Sequence, residues 1–243
     1  RQRQMCIRDS LEEEDGTEQK LTSVATVLIG VMVVVFSVAT FAGLIGGRVT
    51  EEKSSRVVEI ILSSVRPVDF LAGKILGNTI IGFIATLLIL GGGAISLAIT
   101  GLASDIELDY GLIAVLLVGE ILGLLFFGSL YAAAGSMVQR TEDLQSTQAP
   151  ILFLIMATGY VPMFGWMQLD ATWMQVMTWL PPVSMLVAPM QVAGGNLSWL
   201  GLAASYLLMA LTTALIIVMV GRIYRRAILN NGRKMTWRQA LGK

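Results

Sequence analysis

The 243-residue sequence contains no histidine, a single cysteine and six prolines, and only 14% of its residues are charged. Without imidazole the chain lacks the commonest metal ligand, proton shuttle and triad base, which excludes much of enzyme chemistry at once. One cysteine closes no internal disulfide, so a stapled secreted scaffold is excluded as well. The low charge, against about a quarter in an average soluble domain, excludes an ordinary water-soluble globule. Basic and acidic residues number 17 each, which gives no argument for a nucleic-acid partner.

The lone cysteine falls in the opening RQRQMCIRDS, a peptide obtained by translating one frame of a transposase-type sequencing adapter. Residues 1–10 are therefore expected to be a read-through scar, foreign to the fold, with the natural protein continuing upstream. Residues 11–20 are then expected to be the remnant of an outer domain, and residues 21–243 a transmembrane domain. Removing the scar takes away Arg1, Arg3, Arg8 and Asp9 and leaves 14 basic and 16 acidic residues.

What is abundant is uninterrupted apolar chain. Leu21 to Gly47 runs 27 residues without a charge, Ile75 to Ser104 runs 30, and Leu144 to Leu169 runs 26. Tyr110 to Gln139 spans 30 residues broken once, by Glu120, and Ala171 to Gly221 spans 51. An apolar helix needs about 20 residues to cross a bilayer, so arithmetic alone allows five or six crossings.

Charge placement chooses between them, because Lys and Arg near the ends of spanning helices concentrate on the cytoplasmic side. With five crossings, the inner segments hold Arg48, Lys53, Arg56, Arg66, Lys74, Arg140 and the seven basic residues from Arg222 to Lys243, while the outer segments hold only Lys20. A sixth crossing would move the basic tail outside. Residues of about 171–196 are therefore expected to enter the outer face without crossing. Pro181, Pro182, Pro189, Gly194 and Gly195 interrupt helix there, and Trp166, Trp173, Trp179 and Trp199 suit the headgroup level. The fold class that follows is an all-α polytopic membrane protein, with five transmembrane helices, a cytoplasmic helix after the first, and outer re-entrant helices. A multi-pass place in the cell's inner membrane follows, with the C-terminus cytoplasmic and lipid as a partner.

Between the first two crossings, residues of about 49–66 turn amphipathic. Val49, Lys53, Val57, Ile60, Ile61 and Ser64 share one helical face, and Glu52, Ser55, Glu59 and Ser63 the other. Glu52 and Arg56 stand four apart in the favourable order. A helix floating at the lipid interface is the alternative reading. Its acidic residues suit an anionic membrane surface poorly.

EEKSSRVVEIILSSVRPVDFLAGKILG (51–77), YAAAGSMVQRTEDLQSTQAP (131–150), WLPPVSMLVAPMQ (179–191) and the basic tail carry a resemblance. The chain from about Leu21 resembles the type-2 ABC exporter permeases, in particular their NatB-like sodium-export branch. The resemblance implies that the segment after the first crossing is a coupling helix docking on a separate ABC ATPase subunit, with Glu51, Glu52, Lys53, Arg56, Glu59 and Ile60 at the contact. It also implies a second permease copy, outer re-entrant helices, and an N-terminal crossing and outer domain absent from this sequence. No GxxxxGK followed by Ser or Thr is present, so ATP hydrolysis is expected on the partner chain. No cofactor, metal or catalytic residue is expected.

Two further readings compete. Glu51, Glu52 and Arg56 fit EExxxR, a signature of intramembrane prenyl-type proteases, but such a site needs imidazole that the sequence does not supply. A membrane scaffold without transport is the other. Glu120 lies about 15 Å along its helix from Tyr110, near the midplane. A carboxyl there costs about 2.5 to 3.5 kcal/mol, so it is expected to line a translocation path with Asn78 and Thr79 or to hydrogen-bond one of those two across helices. Gly119 and Gly123 beside it invite close approach of a neighbouring helix.

Overall fold

A computed structural model describes residues 2–54, 64–100, 109–138 and 140–228, and all elements among them are helical. They are α1 (Gln2–Ser54), α2 (Pro67–Thr100), α3 (Tyr110–Met137), α4 (Thr141–Gly165), α5 (Thr172–Met177), α6 (Ser184–Ala193) and α7 (Trp199–Ile228). Five contain stretches long and apolar enough to span a bilayer: Thr22–Lys53, Pro67–Ser96, Tyr110–Met137, Thr141–Gly165 and Trp199–Arg225. The all-α polytopic class read from the apolar runs is the one observed.

Local chemistry sets the helix limits. Pro67 opens α2 at a position where its missing N–H is not needed. Asp109 caps α3, its Oδ1 accepting from the N–H of Gly111 at 2.8 Å and of Leu112 at 3.2 Å. Helix α1 is 53 residues long, about 80 Å, so only part of it lies within a membrane. It forms one continuous helix through residues 2–20.

Helix α3 is the centre of the bundle. Val24, Val27, Val31, Val34, Val38, Ala42, Ile45 and Val49 of α1 recur every three or four residues as a buried stripe, with α3 as the main partner of α1. Along α3 itself burial changes character. From Phe126 to Met137 nearly every residue is buried, whereas from Tyr110 to Glu120 only the stripe of Leu112, Leu116, Gly119 and Glu120 is.

Contacts order the ends. Lys53, Val68, Ser136 and Gly221 meet at one end of the bundle, and Gly111 and Trp199 at the other. The 51-residue uncharged run resolves into a hairpin of short helices plus one span. Helix α6 is ten residues, about 15 Å, too short to cross. Its Ser184–Gln191 segment is nevertheless wholly buried. Gln191 Nε2 donates to the Leu169 carbonyl at 3.0 Å, and Ser205 Oγ of α7 donates to the Thr178 carbonyl at 2.6 Å. The Tyr206 hydroxyl lies 3.0 Å from the Met185 carbonyl and 3.1 Å from that of Val115. Polar backbone at this depth is thus covered by protein and bonded to it, the condition under which non-crossing segments persist in lipid.

Candidate functional site

Two polar clusters interrupt the apolar packing of α1, α2 and α3. The first surrounds Glu120, which is fully buried. Ser37 of α1 donates to Glu120 Oε1 at 2.7 Å, and Thr86 of α2 donates to the same oxygen at 2.5 Å. Three helices therefore converge on one carboxyl oxygen, while Oε2 is buried without a hydrogen-bond partner among the described residues. The close approach expected beside Glu120 is present. A Cβ on Gly119 would meet the Tyr206 hydroxyl and the Met185 carbonyl, and one on Gly123 would meet the Met185 sulfur.

The interhelical hydrogen-bond partner expected for Glu120 was Asn78 or Thr79; the observed ones are Ser37 and Thr86. Asn78 donates instead to the Phe41 carbonyl, and Thr79 to Ile75 of its own helix at 2.8 Å. Depth is the reason. Asn78 stands about 6 Å along α2 from Lys74 and Thr86 about 18 Å, and only the second matches a carboxyl near mid-membrane on an antiparallel neighbour.

The second cluster ties the end of α1 to the end of α3. Gly46 and Gly135 bring the backbones together so closely that a Cβ on Gly135 would run into the Gly46 carbonyl. Beside that crossing, Thr50 Oγ1 lies 3.0 Å from the Gly46 carbonyl oxygen and 3.1 Å from that of Gly135. Lys53 Nζ donates to the Ser136 carbonyl at 2.7 Å. The last carbonyls of a helix lack intrahelical partners and carry partial negative charge, so an ammonium suits them. Lys74 of α2, at 4.8 Å over the Phe70 ring, forms an ion pair with Glu52. Two of the six residues expected at an ATPase contact, Glu52 and Lys53, thus bond within the bundle. Glu51 is exposed, and Arg56, Glu59 and Ile60 lie outside the described residues. Most of the expected coupling helix, 55–63, lies outside them too.

Above the Glu120 cluster, toward Asp109, the three helices part around a cavity of about 320 Å³. Thr26, Gly30 and Val33 of α1, Leu90 and Gly93 of α2 and Leu116 of α3 are among its walls. No described trio of acidic or cysteine side chains gathers there or elsewhere as a metal-ligand group.

Residues 10–222 match the family described as ABC-2 family transporter protein. The chain is also similar to the uncharacterized protein YhaP of Bacillus subtilis (strain 168), at 29% identity over 234 residues that cover 92% of this chain and 56% of that relative. It spans little more than half the length of that relative. No solved structure matches.

Proposed function

Given that the chain belongs to the ABC-2 family of transporter membrane proteins, we propose that it acts as the permease of an ATP-driven exporter whose ATPase is a separate subunit. The observation that carries this reading is the anchored root of the segment after α1. Thr50 and Lys53 fix the end of α1 to the last carbonyls of α3, and Glu52 fixes it to α2 through Lys74. A partner pushing on residues beyond Ser54 therefore acts on three spanning helices at once. The charged segment 51–66 is the docking element in this reading, with Glu51, Arg56, Glu59 and Ile60 at the contact.

Orientation and assembly belong to the same proposal. Arg48, Lys53, Arg66, Lys74, Arg140, Arg222 and Arg225 all belong to the Lys53 end of the bundle, which supports placing that end and the C-terminus in the cytoplasm of the inner membrane. Substrate would move outward past Glu120, with a second permease copy completing the transporter. Sodium export, as in the NatB-like branch, stays within this proposal as one substrate choice. A protease reading gains nothing, since Glu52 of the EExxxR motif is spent on Lys74 and the sequence supplies no imidazole.

The test reverses Glu51 and Glu59 to Lys and leaves Glu52 alone, because a lysine at 52 would face Lys74 and damage the permease itself. Loss of ATPase co-purification at normal membrane yield is expected, since docking needs complementary charge and insertion does not. Undiminished co-purification would reject the docking role.

A further inference from the structure

The cavity and the Glu120 cluster are stacked on the same three helices. Val33, Leu90 and Leu116 line the cavity, and each stands one helical turn from Ser37, Thr86 and Glu120 respectively. The partition between the two spaces is thin. Leu116 leans over Gly30 so closely that a Cβ there would come 2.8 Å from Leu116 Cδ1. A leucine tip is flexible, and Leu116 is the wall residue one helical turn from the carboxyl.

Charge and polarity specify the occupant. Among the described residues no Lys or Arg lines the cavity; the one ionisable wall residue among them is Asp109 at the mouth, and the next acid inward is Glu120. Asp109 Oδ1 is committed to capping α3, whereas Glu120 Oε2 is buried and unpartnered among the described residues. The site thus offers mostly apolar walls, with the hydroxyls of Ser23 and Thr26 and the Asp109 cap among them, and one inner carboxyl oxygen. A small hydrated cation suits it badly, because the Glu120 carboxyl and the hydroxyls of Ser37 and Thr86 replace little of a hydration shell, and the mostly apolar walls add only Ser23, Thr26 and Asp109. A cation whose charge is already shielded by hydrocarbon loses little water on entry and gains the apolar contact. A volume of about 320 Å³ lies at the small end of ligand sites, which run from about 300 to 1,000 Å³.

We propose that this cavity binds a hydrophobic monovalent organic cation, with the apolar body between α1, α2 and α3 and the charge directed at Glu120 past Leu116. The inference rests on the permease reading for its meaning as a substrate site, and on geometry alone for binding.

Tetraphenylphosphonium is the probe, with triphenylphosphine oxide as its neutral counterpart, measured on the full-length protein in complex with its ATPase in nanodiscs of neutral lipid. Saturable tetraphenylphosphonium binding is expected. Glu120→Gln keeps an acceptor for Ser37 and Thr86 and should weaken it at least about tenfold while leaving triphenylphosphine oxide unaffected. Gly93→Leu, placed where a side chain meets open space, should weaken both probes by filling the cavity. Non-saturable binding, an unchanged affinity in the Gln variant, or displacement by sodium at millimolar concentration would each overturn the proposal. Binding needs no nucleotide. A complex that binds the probe and fails to export it under ATP therefore counts against the permease reading alone.

Discussion

The trio of α1, α2 and α3 is zipped at one end and forked at the other. At the Lys53 end, Gly46 meets Gly135, Thr50 and Lys53 bond the last carbonyls of α3, and α3 is buried on nearly all sides. At the Asp109 end, α3 keeps only a buried stripe, and α2 has no buried residue among 87–96. The α1 valine stripe runs through both regions, so apolar side chains alone do not decide the spacing. In lipid they have little reason to, since hydrocarbon solvates a valine as well as another helix does. Small residues that admit backbone, and hydrogen bonds that need partners, decide it instead. Glu120, Ser37 and Thr86 mark the point where the zip ends and the fork begins.

The largest effect should come from breaking the zip. In Gly135→Ala the new methyl would strike the backbone of Gly46, which has no rotamer to change, so the helices must separate. A loss of about 3 kcal/mol is expected, the upper part of the range for overpacking. Reversible unfolding in mixed micelles measures it. Gly47→Ala, with open space around its Cβ, is the control and should change little. Equal stability of the two variants would mean that the crossing is looser than observed.

Next in size is Lys53→Met, which keeps the apolar stem and removes the ammonium from the Ser136 carbonyl. A charged hydrogen bond to a partner left buried is worth about 1.5 to 3 kcal/mol. Thr50→Val removes the adjacent bond at a cost of about 1 kcal/mol. Because both grip neighbouring carbonyls of α3, the double variant should deviate from additivity, and a double-mutant cycle reads that coupling directly. Strict additivity would show two separate contacts and weaken the idea of a single rigid junction at the end of α1.

Much of this architecture is legible in the sequence, and the part that is not has a physical cause. Charges bound the apolar runs, so counting leaves five or six spans and the placement of Lys and Arg selects five, while Pro and Gly mark the stretch where α5 and α6 fail to cross. Glu120 announces itself as the one charge inside its run. Its partners do not. Membrane-helix hydroxyls commonly bond back to their own helix, as Thr79, Thr158 and Thr213 do, and so nothing local sets Ser37 or Thr86 apart. Only depth along antiparallel helices distinguishes them, and that depends on knowing which helices touch. The zip is equally silent, for among 25 glycines the sequence does not say which two face each other.

At the fork point the effect should be smaller and should depend on the substituent. Glu120→Gln preserves an acceptor for both hydroxyls and should leave stability nearly unchanged. Glu120→Leu strands the hydroxyls of Ser37 and Thr86, but each can turn back to a carbonyl of its own helix. The expected loss is about 0.6 to 2 kcal/mol, the range for polar contacts between membrane helices. Proteolysis between α2 and α3 should speed up in the Leu variant if the carboxyl is what holds α2 in place. An equal loss in both variants would mean that the negative charge, and not the hydrogen bonding, matters there.

The smallest effect tests the open arm of the fork. Gly93→Ala is the same chemical change as Gly135→Ala, at a similar position inside a spanning helix, yet the new Cβ at 93 meets nothing within 4 Å. Packing therefore contributes no penalty, and the remaining term is conformational. Alanine gives up less backbone freedom than glycine on entering a helix, a difference of up to about 1 kcal/mol in water. The Ala variant should be as stable as the parent or slightly more so, in the same micelle assay that shows the loss at Gly135. A penalty at Gly93 comparable to the one at Gly135 would require α1 or α3 to close over that face of α2. The fork would then be shut in the membrane, and the contrast between the two ends would vanish.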